Sequence, residues 1–104
     1  MFIHPNIPGL TEKLTSTDTA QNLPLASFIS NKKQVEGAII LVEIAPIRFA
    51  LGGTVPTQAG LGGKLEPGSV INLESNEEVT TFQYISAESG IAATLQYTPQ
   101  FPKE

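Results

Sequence analysis

At 104 residues, 40% of them apolar, the chain has the size and composition of one packed globular domain with a single core. A net charge of −4 with six scattered basic residues leaves no footprint for a phosphate backbone, and no apolar run approaches the roughly eighteen residues of a membrane span, so neither nucleic acid nor membrane is an expected partner. The lack of cysteine removes disulfides and thiolate chemistry, and a charged fraction of 15%, against about 25% in typical soluble domains, suits a surface that packs on protein.

Residues 1–10 contain Pro5, Pro8 and Gly9, which forbid a helix and predict an extended N-terminal arm. Phe2, Ile3, Ile7 and Leu10 are a large apolar load for a free tail, so Phe2, Ile3 and Ile7 become candidate protein-contact residues that dock on a neighbouring subunit. The opening Met1-Phe2-Ile3-His4-Pro5 has neither the basic region nor the continuous apolar stretch of a secretory signal, which points to use within a cytoplasm.

Residues 11–98 read as the domain proper. A polar edge strand is expected near 12–17 and a short strand or turn at 21–25, then one helical turn at Ala26–Ile29 and a charged turn at 31–34. The segment from Gly37 to Ile44 is β-rich, apolar on both faces and too short for an ordinary helix, so it should be a central strand. After Pro46 the pattern alternates, with Ile47, Phe49 and Leu51 on one face and Arg48 on the other, as in a half-buried strand.

Residues 52–68 hold six of the nine glycines and two of the eight prolines, a density that predicts an irregular loop. Long loops inside compact domains are more often functional than decorative, and Val55, Leu61 and Leu65 would be held out from this one for a partner to cover. Arg48, the sole arginine, sits on the outer face beside it and suits either an interface or an ion pair with Glu43.

Three further strands of period two are expected at 69–73, 79–86 and 91–98, joined by short turns as an antiparallel meander, with Ile71, Leu73, Phe82, Tyr84, Ile91, Ala93, Leu95 and Tyr97 inward. Residues 99–104 read as a second, C-terminal tail. Together these elements predict an all-β fold, an antiparallel β-sandwich or jelly-roll-like barrel of about six to eight short strands with extended tails.

The motifs that suggest chemistry fail on inspection. Gly62-Gly63-Lys64 resembles the end of a phosphate-binding loop, but Gln58 stands where the first glycine belongs, Leu65 where the Mg²⁺-binding hydroxyl belongs, and Pro67-Gly68 follows in place of a helix. Gly60-Leu61-Gly62 lacks the third glycine and the βαβ surroundings of a dinucleotide site. His4, the only histidine, lies in the arm, where nothing fixes a catalytic base. Glu74, Glu77 and Glu78 have no Ca²⁺-loop spacing, and Ser75-Asn76-Glu77-Glu78 matches a helix capping box although the alternation after it argues for a strand. The expectation is therefore a non-enzymatic chain with no cofactor and no metal site.

The order Ile47-Arg48-Phe49, Gly52-Gly53-Thr54, Pro56-Thr57, a glycine-containing loop, Leu65, Gly68, Phe82-Gln83-Tyr84-Ile85 and Ala93-Thr94-Leu95-Gln96-Tyr97 resembles small accessory proteins of tailed-phage and prophage virions. It covers roughly residues 37–98 and departs from that pattern in the spacing after Pro56-Thr57 and in the fuller Gly60-Leu61-Gly62-Gly63 run. The resemblance implies a virion component assembled in the host cytoplasm. Its partners would be the major capsid protein or another virion protein, and itself as a homo-oligomer. A capsid decoration or cement role ranks ahead of a tail, neck or head-fibre-base role. A free carbohydrate- or protein-binding sandwich is the remaining alternative, and sugar binding is disfavoured by the lack of Trp and by two Tyr placed inward by periodicity.

Overall fold

The computed structural model describes residues 7–30 and 32–102, and for Ile7 the backbone alone. About 44% of the chain is strand, all of it antiparallel, and the fold is an all-β sandwich-like arrangement. The strands are β1 (Ile7–Pro8), β2 (Glu12–Thr15), β3 (Gln21–Asn22), β4 (Ile29–Ser30), β5 (Lys33–Gln34), β6 (Gly37–Glu43), β7 (Ile47–Ala50), β8 (Gly63–Leu65), β9 (Val70–Leu73), β10 (Gln83–Ser86) and β11 (Thr94–Phe101). A 3₁₀ turn spans Leu25–Ser27 and one helix, α1, spans Asn76–Thr81. The first sheet runs β1-β11-β6-β9 with β2 also on β11, and the second runs β3-β10-β7-β8.

β6 is the central strand its composition predicts, paired on one side with β11 and on the other with β9. Ile40 and Val42 of β6 and Leu95 and Tyr97 of β11 face the second sheet and are fully buried. Opposite them lie Ile47, Phe82 and Tyr84, with the rings of Phe49 and Phe82 stacked at 5.6 Å. Tyr97 keeps its hydroxyl satisfied: Ser27 Oγ donates to Pro24 O at 2.6 Å, so the phenol donates to Ser27 Oγ at 2.8 Å. Burial moves both Tyr84 and Tyr97 above the ordinary tyrosine range, so both stay neutral donors.

The three C-terminal strands are not a meander. β9 pairs with β6, β10 with β3 and β7, and β11 with β1, β2 and β6, so the connections β9–β10 and β10–β11 each cross between the sheets. Residues 76–81 are helical rather than strand, because Ser75 caps them: its Oγ accepts from Glu78 N at 3.1 Å, while Glu78 Oε1 accepts from Glu74 N at 2.7 Å. The helix plugs one end of the sandwich with buried Val79 and with Asn76 Nδ2 donating to Val35 O at 2.9 Å. Ile91 is exposed, since β11 begins only at Thr94.

Both expected tails contribute to the first sheet. Ile7 pairs with Phe101 and Pro8 with Gln100, and Gly9 N donates to Pro99 O at 2.7 Å, so the end of the arm lies on its own domain. Pro99 is tolerated within β11 because its carbonyl faces the break between β1 and β2, where its missing N–H deprives no ladder of a donor. Gly9 is required by the close approach: a Cβ there would lie 2.9 Å from Pro99 Cγ and 3.0 Å from the Phe101 ring. Met1 to Asn6, with Phe2, Ile3 and His4, lie outside the described residues.

The crossing from β6 to β7 is tight. Ala45 N donates to Glu43 O at 2.9 Å across Ile44, whose φ is 77°, which makes a γ-turn of the strained hand centred on a β-branched residue. Ile44 is 76% exposed and gains little from burial there. Ile44→Gly should therefore raise the unfolding free energy by about 1 kcal/mol, the relief of left-handed strain exceeding the extra chain entropy of glycine. Phe82→Ala should lower it by about 3–5 kcal/mol through the cavity between the sheets. Chemical denaturation of both variants checks the two signs.

Candidate functional site

By strand alternation Arg48 and Ala50 of β7 and Ile85 of β10 face away from the main core, yet Ala50 and Ile85 are buried and lie outside the main apolar cluster. What covers this outer face is the glycine-rich segment between β7 and β8. Pro56 is fully buried, Arg48 Nη1 donates to Gly62 O at 3.1 Å, and Gln58 Nε2 donates to Asp18 Oδ1 at 2.9 Å on the far side of β10. The segment is thus a flap folded back across the second sheet.

Glycine makes the close packing feasible. Gly62 has φ 104°, and a Cβ on it would lie 2.6 Å from Phe49 O. Further bonds hold the flap in shape: Thr57 N donates to Leu61 O at 3.0 Å, Leu61 N to Thr57 Oγ1 at 3.1 Å, and Gly52 N to Thr81 Oγ1 at 3.1 Å.

The candidate contact residues separate accordingly. Val55 and Leu61 project from the flap, 52% and 53% exposed. Leu65 departs from expectation: it belongs to β8, opposite Ile47, and packs against the core, because residues 63–65 form a hairpin with β7. Arg48 makes no ion pair with Glu43. Its guanidinium clamps Gly62 with Nε buried, and Glu43 Oε1 instead accepts from Gln96 Nε2 at 3.1 Å. Of Ile7 only the backbone pairing with Phe101 is described.

Sequence reasoning missed a second apolar surface. Leu10, Leu25 and Ile29 are 88%, 79% and 62% exposed, and Leu10 and Ile29 border a shallow groove with Ala26 and Phe101. Leu10 belongs to the apolar load noted in the arm, but weak periodicity in 12–30 gave no means of telling that Leu25 and Ile29 face out.

Asp18 ties three connections together. Its Oδ1 accepts from Gly90 N at 3.0 Å as well as from Gln58, which links the β2–β3 turn, the flap and the β10–β11 turn. Beside it, buried Ser16 Oγ accepts from Ala93 N at 2.8 Å and shares a hydrogen bond with Ser86 Oγ at 2.7 Å. No three His, Cys, Asp or Glu side chains among the described residues come together as a metal-holding group. A comparison of the chain with protein-family models, with curated proteins and with solved structures finds no match.

The Gly90 N–H, followed by the Gln58 amide, favours the charged form of Asp18 and holds its carboxyl below the ordinary value of 3.8. A depressed carboxylate pKa contributes stability that is present above the unfolded value and is lost as pH falls through the folded one. The melting temperature of the wild type should exceed that of Asp18→Asn near neutral pH, and the gap should close as the pH is lowered past 3.8. Thermal melts of both proteins across that range check the direction.

Proposed function

We propose that the chain is a structural protein of a tailed-phage virion, acting as a capsid decoration or cement protein that binds the capsid surface and stabilises it. The observation that carries this reading is the anchored flap. Val55 and Leu61 stand half-exposed on a segment already fixed by Arg48, Thr57 and Asp18, so covering them orders little backbone that was free before. Apolar side chains held out on a pre-shaped surface are what a permanent protein contact uses.

The resemblance supports the same reading from the other side. Its elements fall on β7, the flap, β8 and β10, which build that surface, and on β11 of the first sheet. The major capsid protein is the proposed partner, and the groove bordered by exposed Leu10 and Ile29 offers a second place for a virion neighbour. The phenols of Tyr84 and Tyr97, which a sugar-stacking module would expose, lie in the core.

Quantitative mass spectrometry of virions from a phage that encodes the chain should find it in a copy number matched to capsid sites. Leu61→Asp combined with Val55→Asp should strip it from particles, because burying carboxylates without partners costs several kcal/mol, and should leave the melting temperature of the free protein unchanged. A copy number matched to the tail would assign the chain to the tail.

A further inference from the structure

We infer that β9 is a pairing edge, and that two copies of the chain join through it in antiparallel register centred on Ile71, extending the first sheet across a two-fold axis. The inference starts from the contrast among the sheet edges. β1 carries Pro8, β2 carries Glu12 and Lys13, β3 is two residues long, and β8 carries Lys64, ion-paired with Glu66 at 3.4 Å. These are the devices by which proteins block strand addition. β9, Val70-Ile71-Asn72-Leu73, has neither charge nor proline.

The register follows from the ladder. Val42 N donates to Ser69 O at 2.9 Å while Gly68 N donates to Val42 O at 2.7 Å and Ser69 N turns back to Glu66 O, a bulge at which β9 starts. Past it the β6–β9 pairing directs the backbone groups of residues 71 and 73 at β6, and the N–H and C=O of Val70 and Asn72 point to the open side. An antiparallel second copy satisfies those groups when Val70 of one faces Asn72 of the other, which sets the axis at Ile71. Such an interface is isologous, each strand meeting its own copy.

The side chains fit this placement. Val70, 56% exposed, would meet Asn72 of the second copy on the outer face, beside exposed Ile39. Ile71 is half-buried at the rim of the core, where Ile71 of the second copy would complete its cover. The register sets Glu74 opposite Gly68, so no like charges face each other along it. The pairing concerns free copies in solution and does not rest on the virion reading, so the two can fail separately.

The test is sedimentation of the purified full chain over a range of concentrations. The wild type should dimerise reversibly. Val70→Asp with Asn72→Asp sets carboxylates directly opposite one another at two exposed positions and should weaken the dimer by about tenfold or more. Val70→Lys with Asn72→Lys should do the same, and mixing the acidic and basic variants should restore a dimer. Because the chain has no native cysteine, Ile71→Cys should form a disulfide-linked dimer on mild oxidation, since facing residues of a non-hydrogen-bonded pair lie about 4.5 Å apart. Val70→Cys should crosslink far less. A wild type that stays monomeric at every concentration, an acidic variant that dimerises like the wild type, or crosslinking at 70 in preference to 71 would overturn the inference.

Discussion

The ladder between β6 and β11 is the interaction on which the rest of the structure depends. It joins residues 37–43 to residues 94–100, runs from Gly37↔Gln100 to Glu43↔Thr94, and puts Tyr97 beside Ile40 and Leu95 beside Val42 in directly opposed, fully buried pairs. Closing so long a chain segment costs entropy that only burial offsets, and these four side chains form the floor on which Phe82, Tyr84 and Ile47 pack. Everything else in the first sheet is added to one side of this pair or the other. Even the 3₁₀ turn is set by it, through the Tyr97 hydroxyl on Ser27.

Because half of the ten connections pass directly between the two main sheets, the sandwich must satisfy polar backbone where strands start and stop. At one such point β11 begins at Thr94, and the Ala93 N–H just before it is met by Ser16 Oγ, itself bonded to Ser86 Oγ of the opposite sheet. A buried donor left without a partner would cost about 1–3 kcal/mol. Asp18 continues this polar seam outward and links it to the flap through Gln58. The flap is therefore held from two sides, by a core-anchored seam at Asp18 and by Arg48 on β7.

The readable part of the sequence was burial within strands. The apolar run of β6 and the alternation in β11 placed Ile40, Leu95 and Tyr97 in the core, because a half-buried pleat imposes period two on each strand alone. Phe82, placed inward by an alternation over 79–86, is buried at the end of α1 just before β10. Pairing partners were not readable, since a short turn looks the same whether it joins neighbours or crosses between sheets. At 76–81 a local capping signal outweighed an alternation that suggested a strand, and the strand began only after it. At the site, the exposure of Val55 and Leu61 follows from their place among glycines. The clamp by Arg48 and the hairpin position of Leu65 depend on residues 14 and 18 positions apart, and nothing local encodes them.

Glycine density predicts an irregular loop, and at two of its glycines the structure uses the missing side chain for close packing. Gly62 and Gly63 lie against the backbone and ring of Phe49 at distances no side chain would allow, and this brings Arg48 within reach of the Gly62 carbonyl. A segment that could have sampled many shapes is held in one, with its apolar side chains divided between those that seal the second sheet and those that face out. That division bears on assembly. The flap closes the outer face of the second sheet, whereas the uncharged edge of β9 belongs to the first, so the proposed strand pairing between copies and the proposed flap contact with a larger partner would draw on different layers. A small protein with both could be joined to its own copy and to a foreign surface together, each contact raising the effective concentration of the other, so that two weak interfaces hold where either alone would dissociate.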